Sequence, residues 1–102
     1  VRIIEAQTGK FYNLDHIISY EIDDSQADEN IYEIYITDCT GKIHEYCSIN
    51  FKEFKDGKIY SYELKMLFMS SIIQFICELE NKILSFRYAI DRAWDFLQKQ
   101  KV

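Results

Sequence analysis

The stretch Ile31-Tyr32-Glu33-Ile34-Tyr35-Ile36-Thr37, followed by Asp38-Cys39-Thr40-Gly41, decides the fold class. Ile34 and Ile36 fall on one side of an extended chain and Tyr35 on the other, the period-two pattern of a half-buried strand. Asp38 to Gly41 then reads as a tight turn, with Gly41 free to take positive φ, and Ile43 to Ser48 returns as the second arm of a hairpin. Toward the N-terminus, Ile17 to Asp23 is rich in β-branched and aromatic residues and forms another strand, joined to Ile31 by the polar loop Asp24 to Asn30. Earlier still, Ile4 to Gln7 and Phe11-Tyr12 flank a turn at Thr8-Gly9-Lys10, with a second turn at Asn13-Leu14-Asp15. The first half therefore predicts an antiparallel β-meander of four or five short strands.

Near residue 50 the hydrophobic period changes. From Leu64, apolar residues recur at 64, 68, 72, 75, 79, 83, 86, 90, 93 and 97, always three or four apart, which is one stripe of a helix. No Pro and no Gly interrupts it, and Glu78 and Lys82 stand as an i,i+4 pair. A single helix over residues 61–99 would be about 58 Å long at 1.5 Å per residue. A folded chain of this size has a radius of gyration of about 13 Å. The helix is thus expected either to break near Glu80-Asn81-Lys82, with Asn81 at the break, or to protrude and pair with a second copy. Between the halves, Lys52 to Tyr62 reads as a loop leading to a helix capped by Ser61; the alternative is a hairpin turning at Lys55-Asp56-Gly57-Lys58 with Ile59-Tyr60-Ser61-Tyr62 as its return strand. The fold class is α+β, a single domain over residues 1–102 with one long or two shorter C-terminal helices.

Composition excludes several functions. Hydrophobic residues make up 48 % and aromatic residues 16 % of the 102-residue chain, which suffices for one core and rules out a disordered segment. Three cysteines at irregular spacing, Cys39, Cys47 and Cys77, argue against a disulfide framework and for a reducing, cytoplasmic setting. The first residues lack a signal-peptide layout, and Met66 to Cys77 is too short and too polar to span a bilayer. Residues 1–50 set Arg2, Lys10 and Lys42 against ten carboxylates, a balance of −7; residues 51–102 carry +2, which leaves the chain at −5. An acidic half that also holds most of the tyrosines repels phosphates, so nucleic acid is not an expected partner.

No catalytic constellation is visible. Cys39, His44 and Cys47 form a C-x4-H-x2-C set that matches no zinc spacing and lacks a fourth ligand; on a regular strand His44 and Cys47 would also point to opposite faces. The acidic loop Asp23 to Glu29 lacks the glycine and closing glutamate of a calcium loop. There is no nucleophile elbow or glycine-rich anion cradle, and His16 reads as a turn residue. The chain is expected to be no enzyme and to need no metal or cofactor.

The aromatic surplus points to binding. Tyr and Trp combine apolar area with a polar tip, which suits them to interfaces. The segment Tyr62 to Leu79 is apolar almost all round, so a helix there needs cover on more than one side, from the rest of the chain or from a homodimer formed through the helical half. The expected function is that of a non-catalytic binding module or inhibitor, analogous in composition to immunity proteins that block toxins or to phage-encoded inhibitors. Its surface would comprise Tyr20, Glu21, Asp23, Asp24, Asp28, Glu29, Tyr32, Glu33 and Tyr35, presented to a basic protein. The alternative is a ligand-sensing homo-oligomer whose pocket at a subunit junction is lined by Arg87, Arg92 and Trp94.

Overall fold

The order of elements follows from the two periods. In a computed structural model, which describes residues 1–54 and 60–100, the strands β1 (Ile3–Glu5), β2 (Phe11–Asn13), β3 (Ile17–Gln26), β4 (Ile31–Asp38) and β5 (Ile43–Asn50) precede the helix α1 (Tyr62–Cys77); a two-residue strand β6 (Ile83–Leu84) and the helix α2 (Phe86–Lys99) complete the chain. The arrangement is α+β. The strands do not form one meander. They divide into a sheet of order β3-β4-β5, antiparallel throughout, and a small sheet of order β2-β1-β6 in which β6 runs parallel to β1.

Local chemistry places the turns. Gly9 and Gly41 adopt φ of 91° and 88°, as their hairpin turns require. Asp38 organises the second hairpin: its Oδ1 accepts from the Thr40 amide at 2.9 Å and the Lys42 amide at 3.1 Å, while its Oδ2 lies 2.8 Å from His44 Nε2. The His44 and Thr40 bonds hold its carboxyl well below the usual carboxylate range. The polar loop expected at Asp24 to Asn30 is shorter than the sequence suggests. β3 continues to Gln26 through an irregularity between Asp23 and Gln26, a single 3-10 turn follows at Ala27–Glu29, and Asn30 closes it in the left-handed region at φ 63°.

The helical half breaks where compactness demands. α1 ends at Cys77, Gln74 Nε2 donates to Glu78 Oε1 at 3.0 Å, and the chain reverses before Ser85. Glu78 and Lys82 therefore do not share a helix. Asn81 lies in this reversal but does not take positive φ; its side chain instead accepts from the Val1 amine. The backbone groups that leave the helix find partners in β1: Ile3 N donates to Lys82 O at 3.1 Å, and Ile3 and Ile4 pair with Ile83 and Leu84. Both helices start at a serine cap, Ser61 accepting from the Leu64 amide and Ser85 from the Tyr88 amide. Ser61 and Tyr62 thus belong to α1 and to no return strand, whereas the alternative hairpin turn at Lys55 to Lys58 lies outside the described residues.

α1 occupies the centre. Phe68, Met69, Ile72 and Ile76 are fully buried, with Tyr32, Ile34 and Ile36 of β4 on one side and Ala89, Ala93 and Leu97 of α2 on the other. Along α1, Tyr62 and Glu63 at its start and Ser70, Gln74 and Cys77 further on are exposed. The cover that this helix needs comes from its own chain. Within the hydrophobic stripe, Ile72 is 0 % and Ile83 is 64 % exposed. Ile72→Ala should lower unfolding free energy by about 3 kcal/mol, whereas Ile83→Ala should change it by less than about 0.5 kcal/mol; urea unfolding followed by circular dichroism measures both.

Candidate functional site

Strand parity decides which side chains reach solvent. On β4, Tyr32, Ile34 and Ile36 point inward and Glu33, Tyr35 and Thr37 outward. Register then assembles an outer face across the three strands. Asp23 stands opposite Glu33, which stands opposite Ser48; Glu21 stands opposite Tyr35, which stands opposite Glu45; Ser19, Thr37 and Ile43 form the next row. The helices pack on the other side of this sheet, so neither helix covers its outer face among the described residues. No lysine or arginine is in register on it.

Its carboxylates crowd each other. Its neighbour Glu45, partial burial and the charge of Asp23 push the Glu33 carboxyl up to about 7. Desolvation and the charges of Glu33, Glu45 and Asp23 raise the Tyr35 hydroxyl as well. The pair Glu33–Glu45 thus holds one proton more tightly than ordinary glutamates do. At the end of the face, Asp23 Oδ1 accepts from the Ser25 amide at 2.8 Å, and the Ser25 side chain together with this amide keeps its carboxyl below the usual range.

Only part of the surface expected from sequence comes together here. Glu21, Asp23, Glu33 and Tyr35 share the outer face. Tyr32 does not: it is 1 % exposed, shares parity with Ile34, and packs edge-on against Phe51 with ring centroids 5.4 Å apart. It is a core residue and cannot present its ring to a partner. Tyr20 also points inward and is half-buried, and desolvation pushes its hydroxyl up to about 12. Asp24 is engaged by the Tyr62 hydroxyl at 2.6 Å, and Asp28 and Glu29 sit on the 3-10 turn beyond the sheet's end. Glu45 belongs to the face and was not singled out by sequence. The signal that finds it is its register opposite Tyr35.

β5 departs from regular alternation. Ile34 pairs with Cys47 but Tyr35 pairs with Glu45, so Tyr46 is an extra residue in a bulge. Tyr46 and Cys47 are both fully buried as a result. His44 pairs with Ile36 and meets the Tyr12 ring at a tilt of 54° with centroids 4.9 Å apart, and His44 and Cys47 lie on the same side of the sheet and not on opposite sides. His44 is bonded to Asp38, burial pushes the Cys47 thiol up to about 12, and no group of three or more His, Cys, Asp or Glu side chains placed to hold a metal is found among the described residues.

The residues of the alternative pocket are dispersed. Trp94 lies in an aromatic cluster with Phe54, Tyr60 and Phe68, its ring centroid 5.4, 5.7 and 6.3 Å from theirs. Arg92 faces elsewhere: its guanidinium lies 5.0 Å from the Phe75 ring and donates to the Tyr88 hydroxyl at 3.1 Å. It borders an open cleft of about 200 Å³ between the C-terminal end of α1 and α2, which Trp94 and Arg87 do not line. No helix among the described residues is long and apolar enough to cross a membrane.

Comparison with protein-family models, curated proteins and solved structures finds no match for this chain. The outer sheet face stands on its own chemistry.

That chemistry has a pH signature. An unfolded glutamate titrates near 4.5, whereas Glu33 in the folded chain titrates at about 7. The folded state therefore holds the extra proton between these values, and the stability this contributes at low pH is lost as pH rises through 7. Urea midpoints of the parent should fall across this window, and those of Glu33→Gln should fall less. Equal slopes in the two proteins would show that Glu33 and Glu45 do not interact.

Proposed function

We propose that this chain is a non-catalytic binding protein that docks a basic protein partner on the outer face of the β3-β4-β5 sheet. One observation carries this reading: Glu21, Asp23, Glu33 and Glu45 are gathered around Tyr35 on a face that, among the described residues, no helix covers and no cation in register neutralises. Carboxylates held this close repel one another, and a partner's Lys or Arg side chains relieve that repulsion on contact. Opposite charge also speeds encounter, and Tyr35 supplies an amphipathic anchor at the centre. The exposed Ile43, in the row with Thr37 and Ser19, adds an apolar side chain at one end. An inhibitor of a basic enzyme is one form such a protein takes.

The ligand-sensing alternative draws less support. α2 separates Trp94 from Arg92, and Arg87 lies exposed outside the cleft, so one pocket does not unite the three.

A small basic protein such as cytochrome c serves as the probe. In a nuclear magnetic resonance titration at low salt, shifts should concentrate on the amides of Glu21, Asp23, Glu33, Tyr35 and Glu45. The variant Asp23→Asn, Glu33→Gln, Glu45→Gln should bind about tenfold more weakly. The variant Glu63→Gln, Glu80→Gln, Asp95→Asn makes the same change in net charge away from the face and should bind as the parent does. Equal weakening by both variants would overturn the assignment of this face.

A further inference from the structure

The two edges of the larger sheet are not equivalent. The β5 edge is partly occupied by the chain itself: Gln7 N donates to Tyr46 O at 2.9 Å, and Ser48 N donates to Gln7 Oε1 at 2.7 Å. The β3 edge has no such cover. Among the described residues, no backbone group outside the sheet bonds to Ile18–Gln26. Between the irregularities at Ile18 and at Asp24-Ser25, the run Ser19–Asp23 is regular, about 17 Å long at 3.4 Å per residue. In an antiparallel sheet alternate residues of such a run turn their N–H and C=O away from the neighbouring strand.

We propose that this open β3 edge accepts an extended, alternating basic and apolar segment of the partner as a fourth strand of the sheet. The inference rests on the docking face proposed above and adds the mode of attachment. Side chains choose the occupant. An added strand would set its outward residues beside Glu21 and Asp23, in line with Glu33 on the next strand and Glu45 on the strand after it, and its inward residues beside Tyr20 and Ile22. Lys or Arg at the first set and Val or Ile at the second satisfy both. A second copy of this chain fits poorly: antiparallel pairing of two β3 edges brings the carboxylates of Glu21 and Asp23 together across the junction. The same charges that accept a basic strand therefore oppose self-association.

The probe is an acetylated, amidated heptapeptide of alternating Lys and Val, read by fluorescence anisotropy at low salt and by amide hydrogen exchange on the full chain. A peptide of the same composition in block order and a backbone N-methylated version, in each of the two alternating frames, are the controls. The alternating peptide should bind about tenfold more tightly than the block peptide, one N-methylated frame should lose binding, and exchange should slow at alternate amides of Ser19–Asp23. If all peptides bind alike, exchange at β3 is unchanged, and binding still weakens in the Asp23→Asn, Glu33→Gln, Glu45→Gln variant, strand addition is overturned while the acidic docking face stands. If no peptide binds, strand addition falls, and loss of cytochrome c binding as well would remove the docking face with it. Slow exchange at the β3 amides without peptide, in a dimeric protein, would assign the edge to a second copy and overturn the proposal.

Discussion

Everything in this molecule depends on the reversal of the chain between Cys77 and Ser85. α1 is apolar on nearly every side, and a helix of that kind is stable in water only when enclosed. The β3-β4-β5 sheet encloses one side. The reversal brings α2 back to enclose the other, and the small, buried Ala89 and Ala93 on α2 share one core with Phe68 and Ile72. The same turn delivers Ile83 and Leu84 to the edge of β1, so the backbone groups freed from the helix are bonded again at once. It also seats the start of α2 against Glu5, whose carboxylate accepts from the Phe86 amide at 3.0 Å. A carboxylate at that position meets both the unpaired amides and the positive end of the helix dipole.

The division of labour between the sheet's two faces follows from this enclosure. With one face committed to α1, the other is released from any packing requirement, and polar residues there cost nothing in core volume. Even so, its composition is more extreme than solvation alone requires. A mixture of lysine and glutamate would pair across strands, whereas Asp23, Glu21, Glu33 and Glu45 stand together without a cation in register. The cost shows in the Glu33 carboxyl, which its neighbours push up to about 7.

Reading from sequence succeeds here wherever a side chain's position depends on local period. Ile34, Ile36 and Tyr35 fall on the sides that alternation assigns them, Gly41 takes positive φ in its turn, and Ser61 caps α1. It fails wherever a single inserted residue or a distant strand intervenes. The bulge at Tyr46 reverses the expected relation of His44 and Cys47, since one extra residue changes parity. Ile83 continues the helical stripe in sequence, yet β1, some eighty positions earlier, draws it into a strand. Tyr32 illustrates a different limit. Its chemistry suits an interface, but its parity with Ile34 commits it to the core, and where the two conflict burial wins. Of the candidate face, Glu21, Asp23, Glu33 and Tyr35 were legible from composition and alternation; Glu45 required the pairing register, which no property of β5 alone announces.

The small sheet has a consequence for the order in which the molecule is completed. β1 lies between β2, which follows it within a few residues, and β6, which comes near the far end of the described chain. As the chain leaves the ribosome, both hairpins of the β3-β4-β5 sheet can close from neighbouring segments, and β1 can pair with β2. The second edge of β1 stays bare until Ile83 and Leu84 have been made. The acidic sheet can thus assemble early by local contacts, while its hydrophobic underside waits for α1 and then α2. The pairing of β1 with β6 thus spans about eighty residues, the longest separation of any strand pair in the fold.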